Sequence, residues 1–420
     1  MNLLFITNLY PPHHISGYEM LCHEAATHLK MRGHLVSVLT STYGVTRRQD
    51  EPGIYRRLEL ESDIYYYRVR DILRYVVNKR SNYVAIKELM AELAPDVVVI
   101  WGMWNLSRLV AAWAERLAGP RVVYYLADVW PGEPSAHEAF WDGTANSLAG
   151  NLFKRVVRVP VRLALRQEWR PYHLRFEHAI ASCQSTRDEL LKAGLPMDHC
   201  QVIYEGIDPI PYHKAAERRE PDLGNSLLRV VFVGTLVPHK GAHTAIEAFG
   251  CLAESGAPPP MHLTILGAGH PQYEKHLYQL VNRWQLDDQV SFHQPIPRSQ
   301  LPDFLAQFDV LVMPSVYKEP LARISQEAMA AGLALVGTLT GGTKEILVDG
   351  ENGLVFPPGD SEALARQLAR LADDPLLRQK LSAAARSTVG ARFTIDQMID
   401  GLESLFGEVV NTSAKTGRLG

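Results

Sequence analysis

The sequence has few cysteines and no long apolar run. Its 420 residues include four cysteines, none in a C-x-x-C pair, which argues against a structural zinc site and favours a reducing cytosol. No stretch approaches the ~20 apolar residues that span a bilayer, and the first residues lack the basic start and longer apolar core of a signal peptide. We therefore expect a soluble, cytoplasmic protein that lies at most on the inner face of a membrane.

An excess of charge of either sign is also missing. Lysine and arginine number 43 against 46 aspartates and glutamates, which gives a formal net charge of −3. This balance does not indicate nucleic acid as a partner. No Asp-x-Asp pair of the kind that holds a metal ion occurs either. The length, in contrast, exceeds what one compact core holds and predicts two or three domains.

Short β-branched runs alternate with amphipathic segments along most of the chain. This alternation is typical of βα units, so it predicts an α/β fold with two doubly wound parallel sheets. A charged stretch at 214–225 separates the two series. The predicted strands are 3–7, 35–40, 97–101, 122–126, 179–182 and 202–204 in the first series, and 229–234, 262–266, 290–292, 309–313, 333–337 and 354–356 in the second.

The end of the chain has its own pattern. Apolar residues recur with a helical period between 394 and 410, and the last ten residues are small and polar. We therefore divide the chain into domains at 1–205 and 206–394, a helix at 395–410 that packs back on the first domain, and a disordered tail at 411–420. The two halves have similar lengths, and we expect them to face one central cleft.

The clearest candidate for a ligand site is a predicted helix whose first and last residues are both indicated by the sequence. Pro320 suits the first helical position, because its missing N–H has no partner there, and Gly332 suits the C-terminal stop. The dipole at the start of such a helix favours an anion, for example a phosphate. The unpaired amides at that start would belong to Leu321, Ala322 and Arg323.

Two glutamates mark the same stretch. A helix would separate Glu319 from Glu327 by roughly 12 Å and turn them about 80° apart, so one extended ligand could meet both. The alternative is an ordinary surface helix. Against it, the flanks at 308–315 and 333–337 have the composition of fully buried parallel strands. A helix that starts after the carboxyl end of such a strand is where open α/β sheets bind ligands.

Three further loops follow predicted strands. Lys240 ends the loop at 233–241 and is a point charge suited to a diphosphate, although a lysine before a helix is usually exposed to solvent. Gly267 lies in a glycine turn after another strand, and Gly17 lies in the loop after the first strand of the chain. Each glycine alone is equally typical of a plain turn. Two of these loops and the start at Pro320 share one sheet edge.

Two basic segments depart from the simple alternation. One, at 65–75, is aromatic and basic; the other, at 151–175, has a basic residue every fourth position. In a helix this period forms one basic stripe that could lie on anionic lipid. Arginine also suits a phosphate-bearing ligand, such as an acceptor substrate that carries phosphate. The alternative is an ordinary helix, bent at Pro160, that packs its apolar face on the sheet. The stripe consists of Lys154, Arg158, Arg162, Arg166 and Arg170.

These motifs resemble those of the retaining glycosyltransferases of family 4, which have the GT-B fold of two facing Rossmann-like domains. The resemblance extends from Met1 to about residue 410. It rests on a glycine loop, a phosphate loop, the E-x7-E spacing and two flanking motifs. In this chain they are 16–19, 234–241, 319–327, 341–346 and 349–354.

The resemblance implies roles for individual residues. It implies that Glu327 holds the ribose hydroxyls of a nucleotide sugar, that Glu319 contacts the donor sugar, and that Lys240 faces the diphosphate. The domain at 1–205 would be the acceptor side and 206–394 the nucleotide-sugar side. The implied catalytic residues are Glu319, Asp128 and Lys240. The implied donor-binding residues are Gly17, Thr235, Lys240, Gly267, Ile296, Glu319, Leu321, Ala322, Arg323 and Glu327.

The chain departs from the family pattern at three places. Thr235 stands where the family usually has an arginine, and Arg323 could compensate for it. Ala127 stands where many members have a histidine, and Asp128 could take over its contact with a sugar hydroxyl. The segment at 320–322 lacks the glycine that lets the family's backbone approach the donor closely.

The resemblance therefore implies transfer of a hexose-type sugar from a nucleotide-diphosphate sugar to an acceptor hydroxyl, with retention of configuration. We expect this transfer to need neither metal nor cofactor. The acceptor would be a glycan or a lipid-linked sugar in polysaccharide or glycolipid assembly. One alternative is a nucleotide-sugar epimerase of the same fold. Another is a non-catalytic subunit that binds nucleotide sugars or glycans, which Thr235 and Ala127 make conceivable.

Overall fold

The protein divides into two compact units in a computed structural model. The first unit comprises Met1–Ser182, Thr186–Ile203 and the chain from Ile399, and the second comprises Cys183–Ser185 and Tyr204–Met398. The residues that the structure describes are 1–45, 49–64, 66–145, 147–168, 174–218, 227–256 and 259–416.

The first unit contains an eight-stranded sheet in the order β3-β4-β2-β1-β5-β6-β7-β8. All neighbouring strands are parallel except β3 and β4. The strands are β1 Asn2–Ile6, β2 Leu35–Ser41, β3 Gln49–Glu51, β4 Ile54–Leu58, β5 Val97–Ile100, β6 Val122–Leu126, β7 His178–Ala181 and β8 Gln201–Val202. The helices are α1 Gly17–Met31, α2 Asp71–Leu93, α3 Arg108–Ala118, α4 Ala136–Asp142, α5 Leu148–Ala164 and α6 Gln184–Lys192.

The second unit contains a six-stranded, fully parallel sheet in the order β11-β10-β9-β12-β13-β14. Its strands are β9 Leu228–Val233, β10 Met261–Leu266, β11 Val290–His293, β12 Val310–Met313, β13 Ala334–Gly337 and β14 Gly353–Val355. The helices from here to the end of the chain are α7 Ile210–Glu217, α8 Ala242–Glu254, α9 Pro271–Trp284, α10 Leu301–Leu305, α11 Arg323–Ala330, α12 Thr343–Ile346, α13 Ser361–Asp373, α14 Pro375–Arg392 and α15 Ile395–Thr416.

Each predicted strand overlaps a strand of the structure, and the two parallel sheets confirm the predicted α/β fold. The sequence pattern does not predict β3 and β4, because this edge hairpin is short and charged. Arg56 of β4 is buried, and its guanidinium donates to Tyr10 O at 3.2 Å, Pro11 O at 2.7 Å and Glu51 Oε1 at 3.1 Å. A buried arginine thus occupies a position where hydrophobic patterning expects an apolar residue.

Alternate residues of the central strands point into two different cores, as the period of two in a strand requires. Val230 and Val312 belong to the core beneath α8, α9 and α13, whereas Val231 and Leu311 belong to the core beneath α11 and α14. Burying one such side chain contributes roughly 1.5–3 kcal/mol. Both faces of the sheet are therefore covered, which explains why these strands are continuous apolar runs.

The charged stretch and the chain end differ from the sequence prediction. Helix α7 covers Ile210–Glu217, so 214–217 are helical rather than a linker, and 219–226 lie outside the described residues. Helix α15 continues to Thr416, so a disordered tail from 411 is wrong for 411–416, and 417–420 lie outside the described residues.

From Ile399 onwards the last helix belongs to the first unit. Glu403 accepts hydrogen bonds from Arg32 Nη1 and His34 Nε2, both at 2.7 Å, and Arg32 also contacts Asp400 at 2.5 Å. Leu402 and Phe406 of the same helix are fully buried. In the part of the chain that the structure describes, α15 and every other helix are too short or too polar to span a bilayer.

The packing of α8 on α9 gives a test of the fold. A Cβ at Gly250 would lie 2.3 Å from the Trp284 ring, whereas a Cβ at Gly390 in α14 has no neighbour within 4 Å. We expect Gly250→Ala to lower the free energy of unfolding by about 1–3 kcal/mol, because it overpacks the contact between the helices.

The matched control is Gly390→Ala, which removes a helical glycine without a clash. It should raise the free energy of unfolding by roughly 0.5–1 kcal/mol. Urea denaturation followed by circular dichroism measures both variants. Equal effects of the two substitutions would contradict this packing.

Candidate functional site

In the second sheet the strand order reverses at one point. The chain runs from β9 outwards to β10 and β11 and then returns to β12 on the other side of β9. Open α/β sheets bind ligands outside the carboxyl ends of their strands at such a switch point. The loop after β9 carries Lys240, and the loop after β12 carries Glu319. The fold therefore places both residues where a ligand is expected.

The loops after β9 and β12 touch each other. Val316 N donates a hydrogen bond to His239 O at 3.0 Å. Gly241 has a φ of +77°, and a Cβ at this position would lie 2.1 Å from Pro314 O. Only glycine accepts both this backbone angle and this approach without a shift. The close contact fixes the distance between the side chains that the two loops carry.

The Glu319 carboxylate is buried and has two partners. Its Oε1 lies 2.5 Å from Lys240 Nζ and accepts a hydrogen bond from Ser315 Oγ at 2.8 Å. Lys240 remains partly exposed, and its ammonium lies 5.9 Å from the centre of the Tyr317 ring. The structure thus brings together two of the three predicted catalytic residues, as a partly buried ion pair at the sheet edge.

A third loop, after β13, supports the backbone of Glu319. Gly342 N donates to Glu319 O at 2.7 Å. A Cβ at Gly341 would lie 1.9 Å from Glu319 O, and one at Gly342 would lie 1.5 Å from Pro320 O. The paired glycines are required because the two backbones are in direct contact.

The predicted helix start at Pro320 is wrong. Helix α11 begins at Arg323, and its N-cap is Ala322 with an extended ψ of 109°. Leu321 is buried in the core beneath the sheet, and the backbone of Pro320 is pressed against Gly342, so tertiary contacts hold this segment out of the helix. The estimate of about 12 Å between the two glutamates therefore does not apply, since it assumed continuous helix.

The predicted end of the same helix is confirmed. Helix α11 ends at Ala330, and Gly332 has a φ of +81°. Gly332 N donates to Met329 O, and Leu333 N donates to Ala328 O, both at 3.0 Å. These bonds satisfy the last carbonyl groups of the helix, as a left-handed glycine after the C-cap usually does.

Glu327 lies on α11 and is buried. Its Oε1 contacts the guanidinium groups of Arg298 and Arg323, with Arg323 Nε at 3.2 Å. The phenol of Tyr212, from α7, lies close by; burial and the neighbouring Glu327 carboxylate raise its pKa well above the usual range. Neither Arg298 nor Tyr212 belongs to a motif around Glu327, so the sequence alone does not indicate these two partners.

The remaining residues of this unit that are predicted to bind the donor lie on the same edge. Gly267 follows β10, and a Cβ there would lie 2.0 Å from Gly234 O, directly before Thr235. The loops after β9 and β10 are further joined by Leu236 N, which donates to Ala268 O at 3.0 Å. Ile296, after β11, is partly buried against the core on the α11 side. Thr235, Gly267 and Ile296 therefore follow three adjacent strands at their carboxyl ends.

The first unit has its own switch point, between β1 and β5. Gly17 is the first residue of α1, and Ser16 caps that helix: Ser16 N donates to Glu19 Oε2 at 2.7 Å. The Tyr18 hydroxyl lies 2.7 Å from Trp101 O and 2.5 Å from Tyr125 O. This tyrosine joins the carboxyl ends of β5 and β6, a role that the motif alone does not reveal.

Asp128 follows β6 in the same unit. Its Oδ1 accepts a hydrogen bond from Trp130 N at 3.4 Å, and burial raises the pKa of its carboxyl from 3.8 to about 6. The neighbouring Ala127 N lies 3.5 Å from the Tyr18 hydroxyl. Asp128 and Gly17 are therefore on one sheet edge of the first unit, while the other predicted site residues belong to the second.

A cavity of about 290 Å³ opens beside this edge of the first unit. Below it, the buried His137 pairs with Glu61 at 3.0 Å, and its Nδ1 lies 2.5 Å from the Tyr67 hydroxyl. Such a lining suits a sugar, because aromatic side chains can pack on the apolar face of the sugar ring and carboxylates can accept hydrogen bonds from its hydroxyls. The lining includes Glu61, Tyr66, Tyr67, Trp104, Trp130 and Glu133. No local sequence pattern indicates this cavity, because its lining comes from three separate segments of the chain.

Within the described residues, no three histidine, cysteine, aspartate or glutamate side chains come together in a way that could hold a metal ion. The positive groups that face the sheet edge of the second unit are side chains of the chain itself, Lys240 and Arg298 among them.

Two family models match consecutive parts of the chain. The model described as Glycosyltransferase Family 4 matches residues 15–210, and the model described as Glycosyl transferases group 1 matches residues 214–388. The chain belongs to glycosyltransferase family 4. In this family 4 chain, the boundary between the two matches falls at α7, close to the boundary between the two units.

Curated relatives support the same family. Glycogen synthase from Mycobacterium tuberculosis is 26% identical over 408 residues, which are 94% of this chain and 91% of that protein. Spore coat protein SA from Bacillus subtilis is 28% identical over 222 residues, which are 49% of this chain and 58% of that protein. The match spans about half the length of several curated relatives.

Solved structures show the fold. HepE from Anabaena, in a structure with UDP and glucose, has a TM-score of 0.68 and 20% identity, with 97% of this chain and 100% of that chain covered. A glycosyltransferase from Rickettsia africae has a TM-score of 0.69 and 18% identity, with 97% and 98% covered. The two Rossmann-like domains of the family 4 chain are therefore those of the GT-B fold.

The raised pKa of Asp128 predicts a change of stability with pH. The folded carboxyl keeps its proton up to about pH 6, whereas the unfolded one loses it near 3.8. The free energy of unfolding therefore falls as pH rises through this window, by at most about 3 kcal/mol. Asp128→Asn should raise stability at pH 7 by up to this amount and have little effect at pH 4.

Urea denaturation at the two pH values measures this difference. Asp373→Asn, at an exposed carboxylate of the second unit, controls for the loss of one negative charge. A benefit of Asp128→Asn that is the same at pH 4 and pH 7 would show that the carboxyl is not held protonated by the fold.

Proposed function

We propose that this protein transfers a hexose-type sugar from a nucleotide-diphosphate sugar to an acceptor hydroxyl, with retention of configuration. The observation that carries the proposal is the Lys240–Glu319 pair at the switch point of the second sheet, 2.5 Å apart. Family membership supports it, and so does UDP in the structure of HepE, which shares the fold.

The reaction sets the chemical requirement for the site. The bond between the anomeric carbon and the diphosphate oxygen breaks, so negative charge grows on the leaving diphosphate while the sugar gains oxocarbenium character. Lys240 and Arg323 supply positive charge at the edge where the diphosphate would lie. The bond that forms joins the acceptor oxygen to the anomeric carbon. The acceptor proton passes to a phosphate oxygen, so no side-chain base is needed.

The ion pair gives Lys240 and Glu319 separate tasks when donor binds. A diphosphate is a better partner for an ammonium than one carboxylate, so Lys240 turns from Glu319 to the phosphates. Glu319 then accepts a hydrogen bond from a hydroxyl of the donor sugar. Glu327, fixed by Arg298 and Arg323, accepts hydrogen bonds from the ribose hydroxyls. These cations take the place that a metal ion has in other glycosyltransferases, so we propose a metal-independent reaction.

The acceptor is proposed to be a glycan or a lipid-linked sugar, in polysaccharide or glycolipid assembly. The cavity beside Trp104, Trp130 and Glu133 supports a sugar acceptor, because it offers rings and a carboxylate at the edge that also carries Asp128. Asp128 remains a predicted contact for a sugar hydroxyl. The name of glycogen synthase, a relative over most of the chain, is consistent with a growing glycan.

The first experiment is a panel of nucleotide sugars, UDP-glucose included, tested for thermal stabilisation. A bound donor raises the melting temperature by mass action. With the best donor and candidate glycans, mass analysis should find a glycoside. A free, altered sugar would indicate an epimerase, and stabilisation without any donor hydrolysis or transfer would indicate a binding subunit.

Two substitutions in the second unit test the proposed contacts of Lys240 with the diphosphate and of Glu327 with the ribose. Lys240→Met should lower kcat about 10²- to 10³-fold, because it removes a group that stabilises the leaving charge. Glu327→Gln should instead raise KM for the donor, because the ribose contact exists before the transition state as well.

Each variant has a matched control on an exposed residue of the same unit, Lys380→Met for the lysine and Glu362→Gln for the glutamate. Circular dichroism should show that all four proteins fold. Transfer at the wild-type rate by Lys240→Met would remove this lysine from the diphosphate site. An unchanged donor KM in Glu327→Gln would remove Glu327 from the ribose site.

A further inference from the structure

Helix α5 of the first unit packs with one side only. Val157, Val161 and the following Leu165 contact a small apolar cluster that includes Tyr75 of α2 and Trp141 of α4. Lys154 lies on the packed side as well, since its Nζ donates to Phe140 O at 2.5 Å and to Gly143 O at 3.1 Å. The predicted continuous stripe is therefore wrong: Lys154 turns inward, α5 ends at Ala164, and Arg170 lies outside the described residues.

The opposite side of α5 is apolar and exposed. Five aliphatic side chains, with exposed fractions between 65% and 91%, lie within an arc of about 80° on the helix. They are Leu148, Leu152, Val156, Val159 and Leu163. The alternative of an ordinary helix with its apolar face on the sheet does not describe α5, because most of its apolar residues face away from the unit's core.

Arginines line one flank of this apolar strip. Arg155, Arg158 and Arg162 are exposed, and α5 contains no acidic residue. Arg158 also pairs with Asp142 at 2.8 Å. The whole chain has a net charge of −3, so this concentration of positive charge is local to α5 and does not reflect a basic composition of the chain.

Helix α2 continues the same kind of surface. Its first turns expose Leu73, Val76 and Val77, while Tyr75 points inward to the cluster shared with α5. Arg74 and Arg80 are exposed beside them. Two helices that share this apolar cluster thus both turn aliphatic residues and arginines to the outside.

We propose that the outer sides of α2 and α5 form a surface that docks on an anionic lipid bilayer. A helix that lies in the interface buries an apolar strip and keeps basic residues at the level of the head groups. Arginine suits this position because its aliphatic stem follows the apolar strip while its head group reaches lipid phosphates. Helix α5 has no acidic residue, and Asp71, the acidic residue in the first turns of α2, is buried. These parts of the two helices therefore expose arginines and no carboxylate of their own, which suits a layer of negative charge.

The proposal is independent of the transfer reaction, because no residue of the donor site takes part in it. If both are correct, the protein meets a lipid-linked acceptor at the membrane surface. A failure to bind vesicles would leave the donor experiments untouched, and a failure of those experiments would leave vesicle binding untouched.

The test is co-sedimentation of the full chain with vesicles of phosphatidylcholine alone and with vesicles that also contain phosphatidylglycerol. We expect binding to the anionic vesicles only, and weaker binding at high salt. Leu152→Ser with Val156→Ser should weaken binding at least about tenfold by removing apolar contact. Arg155→Gln with Arg162→Gln should weaken it about tenfold to thirtyfold.

The controls are substitutions of exposed residues in the second unit. Leu376→Ser alone controls for the apolar change, and Arg366→Gln with Lys380→Gln controls for the charge change. They should leave vesicle binding unchanged, and donor-induced thermal stabilisation should be the same in all variants. Absence of binding, equal binding to both vesicle types, or binding that survives the α5 substitutions would overturn the proposal. So would a stable dimer that the Leu152→Ser and Val156→Ser pair dissociates, because a second copy would then cover this surface.

Discussion

The contact between the Lys240 ammonium and the Glu319 carboxylate is the interaction on which the candidate site depends. It joins the loops after β9 and β12, the two strands that flank the switch point of the second sheet. Gly241 and Gly341 let the surrounding backbones approach closely enough for this contact. A buried carboxylate without a cation beside it is strongly unfavourable. Lys240 and Glu319 can therefore separate only if a ligand supplies a new anion for Lys240 and a new hydrogen-bond donor for Glu319.

The sequence predicts the sheets well, because their strands are covered on both faces and are therefore continuous apolar runs. It also predicts the end of α11, where Gly332 adopts a left-handed backbone. It fails at the start of α11, where local helix rules favour Pro320. The burial of Leu321 and the contact of Pro320 with Gly342 override those rules, and no local pattern reports such contacts.

For the candidate site, motifs identify residues but not their partners. The spacing of the two glutamates marks Glu327, yet Arg298, which contacts it, is 29 residues away on another loop. The helical period at 151–175 correctly predicts a helix that carries basic residues, but it does not predict which way each side chain points. Lys154, for example, donates hydrogen bonds to backbone carbonyl groups of its own unit. Contacts between residues that are distant in the sequence depend on how the strands and helices are arranged in the fold, so local sequence patterns do not predict them.

The central claim is that the carboxyl edge of the second sheet binds a nucleotide-diphosphate sugar between Lys240 and Glu327. A crystal structure of the protein with the donor that stabilises it most would test this claim most directly. We predict a phosphate oxygen within about 3 Å of Lys240 Nζ, the Lys240–Glu319 contact broken, and ribose hydroxyls on Glu327. A donor bound away from this edge, or bound while Lys240 still contacts Glu319 and no phosphate, would contradict the account.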